Sequence, residues 1–520
     1  MKKILSVFII VIIIVMGYLF FGYKPSEKKE KSILMLENQY VFDNDGIVKN
    51  NGIYYLKKDL FEKYFYDLNI KNLHAYIHIK DKNLDTNEMI YEIPMAILKD
   101  SFYMPISGYE KLLNIKLIES EKRIRLCKID RKWQEGIVIK ASFLRPKKSF
   151  FSFQIGYLKE KSKVEVISNE DKWCKVLTDN GEIGYISSNS VKYEIINGRL
   201  LNEEERNYEE KNFSDFVGAW TKSGYDISNV YLKQSKISFI SLIGFGISND
   251  SDNILNQIDI EQVENSKKLG YKTYGTVDNG YKAEDTHNWI RDSKRVKEYI
   301  YQLMKYTELY DLNGLIIDFE NIKYEDKHYL TYFLDSLYKE SKKEGKELFM
   351  CIPINSDNEN WSLVYDRNKL EKVVDSFILM GYEIRPDRDL KNTLEWIEAG
   401  INKLLEDVSN EKIILGLPLY TEFFGEGLEV GDEDRIKAYS WKNSYTRKDI
   451  NETWKFDDKY MQFKSTFLFN SITYNGWVQE KEVLKKQMRL KDKYGLKGLV
   501  FWRLGYENDE FWEIVDKKNR

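Results

Sequence analysis

The chain has 520 residues, 42% of them hydrophobic and 31% charged, which is too long for one core and fits two to four soluble domains. Its 80 basic and 83 acidic residues are finely mixed and leave a net charge of -3, so there is no electrostatic footprint for nucleic acid. Cys127, Cys174 and Cys351 are odd in number and far apart, which excludes a disulfide framework and metal-type spacing and marks them as buried reduced thiols. His74, His78, His287 and His328 form no cluster in sequence, so no zinc site, catalytic histidine, metal or cofactor is expected.

Residues 1–31 open with Lys2 and Lys3, continue as an apolar run from Ile4 to Phe21, and end in a charged KPSEKKEK tail. As a helix the run would be about 27 Å long, close to the thickness of a hydrocarbon core. No small-residue cleavage pattern follows it, so an uncleaved membrane anchor is expected, with the bulk of the chain extracellular. Cleavage, giving a secreted protein, is the alternative.

Residues 32–130 alternate short apolar strands with one helical segment near 57–66. The stretches YVFDNDGIVKNNGIYYLKKDLFEKYF, FYMPISGYEKLLNIKL and RIRLCKI resemble the small α+β domain named after the N-terminal domain of copper amine oxidases. Nothing in them would ligate copper, and the resemblance implies a spacer or weak wall contact. Residues 136–196 read as short strands, with a hairpin signal at Asn180 and Gly181 between WCKVLT and IGYIS. Trp173, Gly184 and Tyr185 match the pattern of the bacterial SH3-like domain, a small β-barrel that binds wall peptides or braces its neighbours. The polar stretch 197–212 reads as a linker or a surface helix.

From 212 to 520, strand-like runs at 216–220, 237–245, 272–278, 315–320, 348–354, 376–382, 412–419 and 498–502 alternate with amphipathic helical patterns. Eight strand-then-helix repeats predict a (β/α)8 barrel. The stretch 421–477 is too long for a plain loop and predicts an insertion after the seventh strand. The expected fold class is therefore α/β: a TIM barrel preceded by an SH3-like β-barrel, an α+β domain and an N-terminal transmembrane helix.

The fourth strand, in LNGLIIDFEN, sets Leu315, Ile317 and Phe319 on one face and Ile316, Asp318 and Glu320 on the other. A strand this apolar is covered on both sides, so the two carboxylates are either a capped strand end reaching solvent or a pair held for use. Reactive groups of such barrels lie at the carboxyl ends of the strands. There the sequence also places Tyr382 and Glu383 (sixth strand), Tyr420 (seventh) and Trp502 (eighth).

The runs WIRDSKRVKEYIYQLMKYTELYDLNGLIIDFENI, NWSLVYDRNKLEKVVDSFILMGYE, KIILGLPLY and YGLKGLVFWRLGYEN resemble glycoside hydrolase family 18, in its cell-wall and spore-cortex branch. That resemblance implies a retaining, substrate-assisted hydrolysis of β-1,4-linked N-acetylglucosamine glycan, peptidoglycan or chitin-like. It implies Glu320 as general acid, Asp318 as the acid orienting the substrate's acetamido group, Tyr382 holding that group, Trp502 flooring the subsite, and Tyr420 lining its wall. Glu320, beside Asp318 and partly desolvated, should be held protonated near neutrality. Asn313 and Ile316 stand where the family pattern has aspartates, and Glu383 where aspartate is common. The alternative is an inactive barrel that binds glycan or serves as a wall scaffold.

Overall fold

A computed structural model describes residues 33–516 apart from internal stretches, of which 81–87, 197–215, 248–252, 383–392 and 429–435 are the longest. The expected anchor at 1–31, the linker at 197–212 and Glu383 lie outside the described residues. Among those described, no helix is long and apolar enough to cross a membrane.

The described residues form two compact units, one drawn from 1–68 and 95–206 and one from 69–94 and 207–520. In the first, two four-stranded sheets and the helix Lys58–Tyr64 precede a five-stranded sheet running from Trp133–Val138 to Val191–Ile196. Val138, Leu144, Val164, Val166, Cys174, Val176 and Ile186 fill the core of this last part. The predicted hairpin is present: Trp173–Thr178 pairs antiparallel with Ile183–Ser187, and Gly181 takes a positive φ of 75° at the turn. All three cysteines are buried thiols, as the sequence predicts.

The second unit is built on eight parallel strands: β1 (Phe216–Thr221), β2 (Phe239–Gly246), β3 (Lys272–Asp278), β4 (Gly314–Asp318), β5 (Glu347–Pro353), β6 (Ser376–Met380), β7 (Ile413–Pro418) and β8 (Gly498–Trp502). β1 pairs in parallel with both β2 and β8, which closes the cylinder and leaves no open edge. Trp220, Phe239, Tyr274, Ile316, Phe349, Cys351, Ile378, Ile414 and Val500 meet in its interior, at least one from each strand. The intervening positions, such as Leu315 and Ile317 on β4, face the helices and are buried as well. This double covering explains why the barrel strands read as unbroken apolar runs.

One departure from the expected organisation has a local cause, and the predicted insertion after the seventh strand is present. The hairpin His74–Lys80 and Glu88–Pro94 falls within 32–130 but packs on the barrel unit. There the Tyr306 hydroxyl accepts from the Glu92 backbone N–H at 3.0 Å, Asn256 Nδ2 donates to the Glu92 carbonyl at 2.9 Å, and the Tyr91 ring meets Tyr306 edge-on. The insertion after β7 is a five-stranded antiparallel sheet, from Tyr420–Gly425 to Ile472–Trp477, around Phe423, Ile450, Phe467 and Tyr474.

Candidate active site

β4 ends at Asp318, two residues earlier than the sequence predicts. Ile316 lies in the barrel interior, so Asp318, two residues on, faces the same way at the rim. Phe319 turns outward into a cluster with Trp289 and Phe333, at ring-centroid distances of 5.8 and 5.6 Å. Asp318 and Glu320 are buried, 9% and 3% exposed.

The short segment after Asp318, which carries Glu320, leaves the sheet ladder and is held by neighbouring loops. Tyr365 Oη donates to the Phe319 carbonyl at 2.7 Å. The Glu320 N–H donates to Asn279 Oδ1 at 3.0 Å, and Asn279 Nδ2 donates back to the Glu320 carbonyl at 2.8 Å. Asn321, at a positive φ of 51°, donates from Nδ2 to the Tyr281 carbonyl, and the Ile322 N–H donates to the Asn360 carbonyl. Four consecutive residues are thus tied to the loops after β3 and β5. Burial, then the negative charges of Glu320 and Asp318, push the Tyr365 hydroxyl well above the ordinary tyrosine range, so it stays a neutral donor.

Aromatic rings floor the same end of the barrel. Tyr382, just past β6, lies nearly parallel to Trp502 at the end of β8, with centroids 6.4 Å apart and an interplanar angle of 27°. Trp220 meets Trp502 edge-on at 5.2 Å, and Tyr420 meets both Tyr382 and Tyr506. In the layer beneath, Thr276 Oγ1 accepts from Trp220 Nε1 at 3.0 Å and shares a 2.7 Å hydrogen bond with Ser241. Asp278 is the register partner of Asp318 on the neighbouring strand. Burial raises its carboxyl, an effect the Gly280 N–H offsets only in part.

The structure therefore places Asp318, Glu320, Tyr382, Tyr420 and Trp502 at the carboxyl ends of β4, β6, β7 and β8, where the sequence put them. Sequence reasoning missed Asn279, Tyr365, Trp220 and Tyr506. Trp220 and Tyr506 sit at or just beyond strand ends, so the rule that singled out Trp502 could have found them. Asn279 and Tyr365 act through backbone groups, and no spacing announces such contacts. One ligand-type cluster also went unseen: His287 Nδ1 lies 2.9 Å from Asp326 Oδ2 and 3.3 Å from Glu325. Arg291 Nε donates to Asp326 at 2.6 Å, so a fixed cation already answers that charge.

Residues 215–507 match the glycosyl hydrolases family 18, and residues 141–192 match the bacterial SH3 domain. Among curated proteins, the chain is 22% identical over 286 residues to the uncharacterized glycosylase YvbX of Bacillus subtilis, covering 51% of this chain and 80% of that protein. Its fold is similar to a chitinase from Chromobacterium violaceum, with a TM-score of 0.50 and 18% identity over 59% of this chain and all of the other. It is also similar to the spore cortex-lytic enzyme SleL of Bacillus megaterium, with a TM-score of 0.51 and 13% identity over 62% of this chain and 76% of the other. The family match spans more than half of the chain and contains every strand of the closed barrel together with its carboxyl-end acids and aromatics, so the chain belongs to glycoside hydrolase family 18.

Proposed function

We propose that the barrel hydrolyses β-1,4-linked N-acetylglucosamine-containing glycan, peptidoglycan of the wall or spore cortex above all, by a retaining reaction in which the sugar's own 2-acetamido oxygen is the nucleophile. The observation that carries this reading is the burial of two carboxyl side chains, Asp318 and Glu320, at the rim that also presents Tyr382 and Trp502. Glu320 donates a proton to the glycosidic oxygen as the acetamido oxygen attacks the anomeric carbon and the leaving sugar departs. Asp318 and Tyr382 orient the acetamido group, and Trp502 supports the distorted ring. Water then opens the cyclised intermediate, giving its proton to Glu320 and restoring the starting state. The names of YvbX, a glycosylase, and of SleL, a cortex-lytic enzyme, agree with a wall-type glycan. In this reading the apolar run at 4–21 anchors the enzyme with its barrel outside the membrane. The segment 32–130 serves as a spacer, and the SH3 domain contacts wall peptides.

The test is release of reducing ends from peptidoglycan and from chitooligosaccharides. Glu320→Gln should lower the rate by about 10²–10⁴-fold, the usual worth of a positioned general acid. A thiazoline mimic of the cyclised intermediate should inhibit strongly. Undiminished hydrolysis by Glu320→Gln would overturn the assignment of the acid, and indifference to the thiazoline would overturn the participation of the acetamido group.

A further inference from the structure

Glu320 lies beyond the last ladder residue of β4, so its N–H and carbonyl have no neighbouring strand to bond. Both are buried with it, and a buried peptide group needs a partner. One side chain supplies both partners. Asn279, 1% exposed and just past the end of β3, accepts from the Glu320 N–H at 3.0 Å and donates to the Glu320 carbonyl at 2.8 Å. Its second amide hydrogen goes to Thr286 Oγ1 at 2.9 Å, in the helix Ala283–Ile290. The donor and acceptor demands allow only one orientation of the amide, because the opposite flip would set its oxygen against the Glu320 carbonyl and its NH₂ against an N–H.

The nitrogen and the carbonyl oxygen of residue 320 belong to two successive peptide planes that flank its Cα. Holding both fixes φ and ψ there, and with them the direction in which the Glu320 side chain leaves the backbone. A second tie between the same two loops, from Asn321 Nδ2 to the Tyr281 carbonyl at 3.0 Å, limits rotation of the pair as a body. Thr286 anchors the amide from the far side, so the position of Glu320 is referred to β3 and the helix after it rather than to its own short loop.

We propose that Asn279 is a positioning residue for the reaction, which aims the Glu320 carboxyl at the glycosidic oxygen by clamping both backbone groups of that residue. The proposal rests on the reading of Glu320 as the proton donor. In this role Asn279 acts through Glu320 rather than on the substrate. The titratable groups set around the acid by chain and register are Asp318 on β4, Asp278 at the end of β3, and Tyr365 from the loop after β5.

The experiment compares wild type, Asn279→Ala, Asn279→Asp and Glu320→Gln in the chain of 520 residues, with chitooligosaccharides as substrate. kcat, KM, the pH dependence of kcat/KM and the melting temperature are recorded for each. Asn279→Ala should lower kcat by about 30- to 100-fold with KM within about threefold, since small misplacement of a catalytic group costs rate rather than binding. Asn279→Asp keeps the acceptor for the Glu320 N–H, loses the donor to the carbonyl, and brings a like charge near the acid. Its kcat should fall less than that of the alanine variant, and its alkaline limb should move to higher pH because a neighbouring negative charge raises the pKa of the acid. Mere loss of folded protein would scale kcat without moving that limb.

Should the alanine variant fail to fold, the near-isosteric aspartate variant decides. A kcat within twofold of wild type and an unmoved limb overturn the proposal. If Glu320→Gln is dead while the folded Asn279 variants behave as wild type, the clamp alone is refuted. If Glu320→Gln remains active, the proton-donor reading falls and the clamp with it.

Discussion

Ile316, Asp318 and Glu320 show what a two-residue period reveals and where it stops. The alternation predicts both acids on the lumen side, but the strand ends at Asp318, and what holds Glu320 beyond it is a set of bonds from other loops. Asp318→Asn should leave the fold intact and lower kcat by about 10²-fold, the scale of removing one preorganised charge-stabilising group, as steady-state kinetics on chitooligosaccharides would show. Tyr365→Phe removes the donor to the buried Phe319 carbonyl and should cost about 1–3 kcal/mol of barrel stability in a urea titration. The pH dependence has a definite sign. The folded-state pKa of Tyr365 is raised, so its stabilising contribution is complete below the unfolded tyrosine value of about 10 and is lost as pH climbs above it. Urea titrations between pH 8 and 11 should show stability falling at the alkaline end, less steeply in Tyr365→Phe.

At the scale of elements, all eight barrel strands and the insertion after β7 follow from repeated apolar runs and their spacing, and the predicted strand limits are displaced by no more than about two residues. At the carboxyl ends the displacement is largest, two residues, at β4 and β6, and beyond β4 side-chain bonds from other loops replace the ladder. Close approach between strands also depends on glycine. A Cβ added to Gly218 on β1 would lie 2.0 Å from Phe239 Cζ on β2, inside the barrel. Gly218→Ala should therefore destabilise the barrel by about 1–3 kcal/mol through overpacking, read as a lower urea midpoint at an unchanged slope.

Across the whole molecule, the barrel interior and the SH3 domain have separate cores, so damage to one should not propagate to the chemistry of the other. At Gly184, an added Cβ would lie 2.6 Å from Leu144 Cγ in the SH3 core. Gly184→Ala should lower one calorimetric transition, by about 1–3 kcal/mol, and leave hydrolysis of soluble chitooligosaccharides unchanged. By itself, the sequence determined the barrel through its apolar periods, the insertion through the length of 421–477, the SH3 hairpin through the turn signal at Asn180 and Gly181, and the rim carrying Asp318, Glu320, Tyr382, Tyr420 and Trp502 through the strand-end rule. Only the tertiary structure decided that the hairpin around His74–Lys80 belongs with the barrel and that Asn279 and Tyr365 hold the segment bearing the acids. The reason is physical: a hydrogen bond to a backbone N–H or carbonyl can be made to any residue type, so the partner across 41 or 46 residues leaves no mark on the sequence at either end.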